Sequence, residues 1–390
     1  MFCRAIRSIV QGVLPALIGV LALTGIVRAE IITPSEYAVI MDFDSGKVLY
    51  GKNPDAPMKP ASMAKMMTTY IMFAQIRDGS LKLDDKFIVS KKAYRKGGSR
   101  SFLEIGSQVT VEDLLRGIIV QSGNDAAIVV AEGLAGTEEA FADEMTSQAR
   151  KLGMKNTVFG NATGWPDEIT ITTARDLAIL ARSMIAEFPD LYKIYAEKSF
   201  TYNGIKQPNR NPLLYNFDGA DGLKTGHTND SGYGLTASAI QDGQRIIMVI
   251  NGLGSSAERK TESIRMMGLA FRTFRKFDLL EANAPVASAQ VWLGVDKRVD
   301  LVSAETVSRV MDRSDHEKIS KRFEINPDIE APISRGETLG EAVFVIDGAE
   351  ERFPLVAARD VAKLPWHRQI GAFFNTLIFG SEPAPDASGN

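Results

Sequence analysis

The spacing of apolar residues changes along the chain, and this change limits the folds that the chain can adopt. Short apolar, strand-like runs separated by turn residues occupy residues 37–50 and again residues 232–250. Segments with the longer spacing of helices are 62–77, 111–134, 173–185 and 263–280. Strands at both ends with helices between them favour one antiparallel sheet that joins the two ends. Residues 30–282 are therefore predicted to be a mixed α/β domain of the α+β type, with flanking and inserted helices.

The pattern returns to short alternating runs after residue 283. These runs are broken by Gly, Asp and Pro, and they cover 289–293, 297–302, 318–325 and 341–346. This spacing predicts a separate small all-β sandwich domain over residues 283–362. Two short segments follow, an apolar-striped one at 363–380 and a small polar tail at 381–390.

The amino terminus has the features of a secretory signal peptide. Arg4 and Arg7 precede an apolar stretch over residues 9–27, and small residues lead up to Ala29. We expect cleavage after Ala29, so that residues 1–29 are removed and the protein acts outside the cytoplasmic membrane; an uncleaved anchor is the alternative. Removal takes away three arginines and no acidic residue, which moves the net charge from −3 to −6.

The composition excludes several classes of function. Lysine and arginine total 45 against 48 acidic residues, so no basic excess indicates a nucleic acid partner. Three histidines leave little for a zinc site, and we predict neither a metal nor another cofactor. The single cysteine, Cys3, lies in the predicted signal peptide. A thiol enzyme and a disulfide framework are therefore not expected.

Ser62 and Lys65 form the first chemical motif, at the start of a predicted helix. Residues i and i+3 share a helix face, so the Lys65 amine can reach the Ser62 hydroxyl. A serine nucleophile needs a base beside it, and a lysine can serve only if its pKa falls towards 7–8. Taken alone, the pair also fits an ordinary helix N-cap with an exposed lysine.

Two further motifs follow in the sequence. Ser122 and Asn124 lie at a polar break between two predicted helices. Lys224, Thr225 and the Gly226-His227 pair precede a strand-like stretch, where a cation and a hydroxyl could bind a carboxylate. Taken alone, the first of these motifs also fits an ordinary loop, and the second fits the ordinary start of a strand. In this order, however, Ser-x-x-Lys, Ser-x-Asn and Lys-Thr-Gly are the motif set of penicillin-binding proteins and serine β-lactamases.

The sequence resembles the low-molecular-mass penicillin-binding proteins of the penicillin-binding protein 5 type, which are serine-type D-alanyl-D-alanine carboxypeptidases. The similar stretches are 42–49, 59–68, 121–126, 203–211 and 221–228, with a weaker likeness at 335–340. The resemblance implies a transpeptidase-like domain that acts on peptidoglycan pentapeptide stems and is inhibited by β-lactams.

The resemblance also implies roles for the motif residues. Ser62 would carry the acyl group, Lys65 would take its proton, Ser122 would relay a proton to the leaving D-alanine, and Asn124 would orient the substrate.

The third motif would bind the substrate. Lys224 and Thr225 would bind the terminal carboxylate, and Lys224 would also lower the pKa of Lys65. Gly226 would allow close approach of the substrate backbone, and the N–H groups of Ser62 and His227 would form the oxyanion hole.

Arg259 matches a family segment that brings an arginine to the substrate carboxylate, but only if one extra residue is allowed before it. A planar guanidinium suits a carboxylate better than an ammonium does. The alternative is a solvated arginine at the start of a helix.

Three other functions are alternatives to a carboxypeptidase. Two of them would use the same residues, and the third would use none of them. A β-lactamase of the commonest class would carry a Glu-x-x-Leu-Asn stretch, and the sequence has none. A DD-endopeptidase would use the same chemistry on cross-links, and a non-catalytic peptidoglycan-binding scaffold would need none of it.

The carboxyl terminus predicts an amphipathic helix that begins after Pro365. Its apolar stripe consists of Trp366, Ile370, Phe373, Phe374, Leu377 and Ile378. The helix is too short to span a bilayer but suits lying in its surface. We expect residues 366–380 to attach the protein to the outer face of the cytoplasmic membrane; packing on the β domain is the alternative.

Overall fold

The computed structural model describes residues 31–369. Its strands are β1 Tyr37–Asp42, β2 Val48–Lys52, β3 Lys86–Ile88, β4 Gln108–Thr110, β5 Ser199–Tyr202, β6 Ile205–Pro208, β7 Ala220–Thr228, β8 Gly232–Gln241, β9 Gln244–Leu253, β10 Phe274–Leu280, β11 Pro285–Gln290, β12 Arg298–Val302, β13 Val307–Asp312, β14 Ser320–Ile325, β15 Thr338–Ile346 and β16 Ala349–Ala357. Its α-helices are α1 Lys65–Asp78, α2 Lys91–Arg95, α3 Val111–Ile119, α4 Asn124–Ala135, α5 Glu138–Lys151, α6 Ala174–Glu187, α7 Pro189–Tyr192, α8 Leu213–Asn216, α9 Ser256–Thr273 and α10 Arg313–His316. Short 3₁₀ helices lie at Ala61–Ala64 and Lys193–Ala196.

One antiparallel sheet joins the two ends of the first domain, as predicted. Its strand order is β2-β1-β9-β8-β7, so β1 pairs with β9 about two hundred residues later in the chain. The strands β1, β8 and β9 are almost wholly buried, because helices cover both faces of the sheet. The strand β7 lies at the free edge of this sheet, and it carries the Lys-Thr-Gly motif.

The inserted helices pack into one apolar core with the sheet. Residues 65–73 of α1 are buried on all sides, which places this helix inside the domain rather than on its surface. The helix α6 begins where its capping residues predict, since the Thr173 hydroxyl accepts a hydrogen bond from the N–H of Asp176.

The prediction of a helix over 263–280 is wrong at both ends. The helix α9 begins earlier, at Ser256, because the Ser255 side chain accepts from the Glu258 N–H and caps it. From Phe274 onward the chain is the strand β10, which pairs with β13. Phe274, Phe277 and Leu280 repeat every three residues, as in a helix, but their partners come from a strand thirty residues later.

The carboxyl-terminal region is a β domain, as predicted. A five-stranded sheet of order β11-β12-β16-β15-β14 and the β10-β13 pair enclose a core that includes Leu280, Leu301, Met311, Phe344 and Leu355. Three of its strands, β10, β13 and β16, were not predicted as strands. The strand β16 contains Pro354, which pairs with β15 on one side and lies beyond the two residues that pair with β12, so proline breaks no ladder there.

Helical structure resumes at Trp366, directly after Pro365, and the description ends at Gln369. The rest of the predicted amphipathic helix, the tail and the signal peptide lie outside the described residues. Within residues 31–369, no helix combines the length and the apolar character that crossing a membrane would require.

Candidate active site

Ser62 and Lys65 lie where a 3₁₀ turn passes into α1. Ser62 is in the 3₁₀ helix Ala61–Ala64, and Lys65 is the first residue of α1. A 3₁₀ helix has three residues per turn, so side chains at i and i+3 stack above one another. The Lys65 Nζ accordingly lies 2.9 Å from the Ser62 Oγ. The preceding Ala61 has φ 47°, a left-handed conformation that costs energy for a residue with a Cβ and often marks a functional site.

Lys65 is fully buried and has two further hydrogen-bond partners. Its Nζ donates to the Asn124 Oδ1 at 2.7 Å and to the Thr163 carbonyl oxygen at 2.6 Å. Burial, followed by the nearby Arg210 cation, lowers the pKa of Lys65 to about 7. A neutral amine that donates to these two acceptors leaves its lone pair for the Ser62 hydroxyl. The arrangement therefore suits a general base that works near neutral pH.

Ser122 and Asn124 approach this pair from the start of α4. Ser122 is 2% exposed and has φ 66°, so its backbone is also strained next to the nucleophile. The Asn124 side chain is fixed at both ends, since its Nδ2 donates to the Gly97 carbonyl oxygen at 2.8 Å while its Oδ1 accepts from Lys65. Asn124 thus links the Lys65 amine to the loop around Gly97.

The edge strand β7 closes the opposite side of the cleft. A Cβ on Gly226 would lie 2.8 Å from the Pro60 carbonyl oxygen, so only glycine lets this strand pack against the Ser62 turn. Thr225, Gly226 and His227 line the cleft. The Lys224 Nζ is buried and donates to the Thr225 carbonyl oxygen at 3.2 Å. Burial, followed by the nearby Lys65, Arg210 and Arg259, lowers the pKa of Lys224 well below its ordinary value.

Arg259 points into the cleft from the first turn of α9. Its guanidinium is nearly buried and lies 3.4 Å from the Gly226 carbonyl oxygen and 3.5 Å from that of Gly234. It also lies 5.5 Å from the centre of the Tyr233 ring, on which the His227 ring stacks. The Arg259 Nε has no protein partner in the described structure. Arg259 is therefore a cleft residue and not a solvated arginine.

The structure brings together every site residue that the sequence predicted. Ser62, Ser122, Asn124, Thr225, Gly226, His227 and Arg259 line one cleft of about 500 Å³, with Lys65 and Lys224 buried behind it. Sequence reasoning missed three contributors: Arg210, Thr163 and Trp165. Arg210 lies in the 203–211 stretch that the resemblance includes, but no motif singled it out.

Another cavity of about 500 Å³ lies between the turn after β1 and the β domain. Its lysines are paired with carboxylates, Lys47 with Asp347 and Lys276 with Asp44. Among residues 31–369, no group of three His, Cys, Asp or Glu side chains could hold a metal ion.

Comparison with known families gives a direct assignment. Residues 27–254 match the family described as D-alanyl-D-alanine carboxypeptidase (peptidase S11). The chain belongs to this family. Residues 274–363 match the carboxyl-terminal domain of penicillin-binding protein 5. The family match confirms the predicted resemblance and the predicted class of enzyme, a serine-type D-alanyl-D-alanine carboxypeptidase.

Individual relatives cover most of both chains. D-alanyl-D-alanine carboxypeptidase DacC of Escherichia coli K12 is 35% identical over 86% of this chain and 90% of its own length. DacF of Bacillus subtilis 168 is 36% identical over 86% and 88%. The crystal structure of penicillin-binding protein 5 from Haemophilus influenzae has a TM-score of 0.70 and 34% identity, over 85% of this chain and 100% of that chain. The predicted fold class is thereby confirmed.

Solved structures that resemble this chain include β-lactam-bound forms. Penicillin-binding protein D2 from Listeria monocytogenes, in its ampicillin-bound form, has a TM-score of 0.56 and 28% identity, over 60% of this chain and 96% of that chain. The part of this chain that it resembles is therefore smaller than the part shared with the carboxypeptidases.

Proposed function

We propose that Ser62 of this carboxypeptidase forms the acyl-enzyme and that Lys65 is its general base. The observation that carries the proposal is the 2.9 Å contact between Ser62 Oγ and a buried Lys65 Nζ whose pKa is about 7. Asn124 and the Thr163 carbonyl hold the amine so that its lone pair can face the hydroxyl. As Oγ attacks the carbonyl between the two D-alanines, its proton passes to Lys65.

The other cleft residues take the roles that their positions allow. The peptide lies along the free edge of β7, which Gly226 allows to pack closely against the Ser62 turn. Its terminal carboxylate binds Thr225 and Arg259, with Lys224 behind them. The backbone N–H groups of Ser62 and His227 stabilise the oxyanion, and Ser122 passes a proton to the leaving D-alanine. Water then hydrolyses the acyl-enzyme and releases the shortened stem.

The cleft also supports slow release of a bound β-lactam. No Asp or Glu is among the described residues that line it, so no carboxylate stands ready to activate water against the penicilloyl ester. The reaction with the natural peptide differs because the small leaving D-alanine departs and makes room for water. We therefore expect β-lactams to inhibit the enzyme by leaving a long-lived acyl group.

Incubation with benzylpenicillin tests this function. Mass spectrometry should show one penicilloyl adduct on the peptide that contains Ser62, and none on the Ser62→Ala variant. The untreated enzyme should release D-alanine from a pentapeptide stem. Rapid loss of the adduct with turnover would indicate a β-lactamase, and the absence of both adduct and D-alanine release would indicate a scaffold. Digestion of defined cross-linked muropeptides measures any endopeptidase activity.

We further propose that the mature protein acts outside the cytoplasmic membrane and attaches to it through residues 366–380. In support, Trp366 is 74% exposed where the described helix begins. The loop with exposed Trp292 and Val295 lies beside it, since the Val295 N–H donates to the Ala362 carbonyl oxygen at 2.9 Å. Exposed tryptophans are typical of the interface between membrane and water.

Truncation after Lys363 should release the protein from membranes. Chains 30–390 and 30–363 are mixed with anionic lipid vesicles and sedimented. The long chain should pellet with the vesicles and the short one should stay in solution, because the short one lacks the apolar stripe. Both should acylate with benzylpenicillin at the same rate, which controls for folding. Equal recovery of both chains in solution would contradict membrane attachment.

A further inference from the structure

One wall of the cleft combines an aromatic surface with a cation. Trp165 lines the cleft and is 40% exposed. The Lys96 ammonium lies over its ring, 4.6 Å from the centre. No predicted role uses either residue. A lysine that lies over an indole beside an active site can bind an anion while it keeps its cation–π contact with the ring.

The backbone of Trp165 is fixed by hydrogen bonds to both its N–H and its carbonyl oxygen. Its N–H donates to the Asn161 Oδ1 at 3.1 Å and to the Thr163 Oγ1 at 3.0 Å, and its carbonyl oxygen accepts from the Asn161 Nδ2 at 2.9 Å. The same loop supplies the Thr163 carbonyl that holds Lys65. The Trp165 backbone is therefore held in the same loop that positions the Lys65 amine.

Trp165 also packs against the glycine loop next to Asn124. A Cβ on Gly98 would lie 2.9 Å from both the Trp165 Cζ3 and the Asn124 Nδ2, so glycine is needed for the two side chains to meet there. Arg259, in contrast, contacts β7 and β8 on the other side of the cleft. A peptide whose terminal carboxylate lies at Arg259 and whose scissile carbonyl lies at Ser62 would extend its acyl part past Asn124 towards Trp165.

The cleft has more positive charge than one carboxylate would use. Arg210 and Arg259 line it, the Lys96 ammonium lies against its Trp165 wall, and no acidic side chain among the described residues lines it. Within residues 31–369, neither Lys96 nor Arg210 forms an ion pair with a carboxylate. The D-alanine carboxylate has Thr225, Lys224 and Arg259, which leaves the cations on the acyl side without a partner.

We propose that Trp165 and Lys96 form a subsite for a second carboxylate, carried on a hydrocarbon side chain by the residue that precedes D-alanyl-D-alanine. The methylene groups lie on the indole and the carboxylate meets the ammonium. The preferred substrate is then a stem whose third residue is a diamino dicarboxylic acid with its side-chain carboxylate free. A stem with lysine at this position, or with that carboxylate amidated, lacks the second anion. The inference rests on the carboxypeptidase function proposed above.

Two pentapeptide stems that differ in one group test the subsite. Both carry meso-diaminopimelic acid as the third residue, one with a free side-chain carboxylate and one with it amidated. We expect kcat/KM for D-alanine release to be about tenfold higher for the free acid, as a charge-assisted contact at a half-exposed site would give. In Lys96→Met the ratio should fall to about one. Trp165→Leu should lower kcat/KM for both stems through KM.

Lys91→Met is the matched control, because Lys91 is an exposed lysine at the start of α2, the helix that leads to Lys96. It removes the same charge and should keep the tenfold ratio. Lys96 also lowers the pKa of Lys65, but that effect is common to both stems and cancels in the ratio. Equal rates for the two stems, or an unchanged ratio in Lys96→Met, would overturn the subsite alone. No D-alanine release and no Ser62 adduct would overturn the activity and the subsite with it.

Discussion

Replacing Lys65 by arginine should reduce acylation by benzylpenicillin on the order of 10³-fold. The Lys65 Nζ lies 2.9 Å from the Ser62 Oγ, and its pKa of about 7 lets it be neutral in a large fraction of molecules at neutral pH. An arginine side chain stays protonated throughout this range and cannot accept the Ser62 proton. The second-order rate of acylation, measured by stopped-flow or by intact-protein mass spectrometry, gives the loss directly.

The same assignment fixes the direction of the pH dependence. Because the folded-state pKa of Lys65 is lowered from 10.5 to about 7, the amine is neutral above pH 7 and protonated below it. The wild-type acylation rate should therefore rise about tenfold per pH unit below 7 and level off above it. The Lys65→Arg variant should show no such step. A step of the same size in the variant would assign it to another group.

Lys65 is fully buried, so the larger guanidinium could disturb the fold. Lys65→Met is the second variant, since methionine is uncharged and has a similar length. It should lose acylation equally while thermal unfolding shows that it is folded, with a loss of about 1–3 kcal/mol because Asn124 and Thr163 each lose a donor. Acylation by either folded variant at close to the wild-type rate would contradict the role of Lys65.

The sequence alone predicted those parts of the site whose residues lie close together in the chain. Ser62 and Lys65 are three residues apart, and both an α-helix and the observed 3₁₀ turn bring such residues together. The hairpin of β8 and β9 follows from two apolar runs on either side of a Gly-containing turn. In these cases the interacting groups lie close together in the chain, so local pattern contains the information.

The parts that were missed depend on contacts between distant segments. Lys65 meets the Thr163 carbonyl across 98 residues, and any residue could supply a carbonyl there, so no side-chain motif marks it. Arg210 lies 145 residues after Lys65 in the chain and acts on it through its charge, so the effect appears only once the fold brings the two side chains together. The strand β10 was predicted as helix because its ladder partner, β13, lies beyond an intervening hairpin. Similarity to a carboxypeptidase that is 35% identical supplies this information, because related chains share the contacts between distant segments.

Replacing Arg259 by leucine should lower kcat/KM for a peptide with a free terminal carboxylate on the order of 10²-fold. The guanidinium is buried beside Gly226 and Gly234, and its Nε has no protein partner in the described structure. A carboxylate that arrives there meets a donor that is already in place and already shielded from water, where charge-assisted hydrogen bonds are strong. Leucine is apolar like the stem of the arginine and removes the donors together with the guanidinium contact to Tyr233.

The diagnostic comparison is a second peptide whose terminal carboxylate is an amide. The wild-type enzyme should hydrolyse the amide much more slowly than the acid, and Arg259→Leu should hydrolyse the two at similar rates, because the residue that distinguishes them is gone. Lys260→Leu is the matched control, since Lys260 is the next residue of α9 and is exposed. It should keep the wild-type preference for the acid. If Arg259→Leu lost activity equally on acid and amide, Arg259 would be supporting the fold of β7 and not binding the carboxylate.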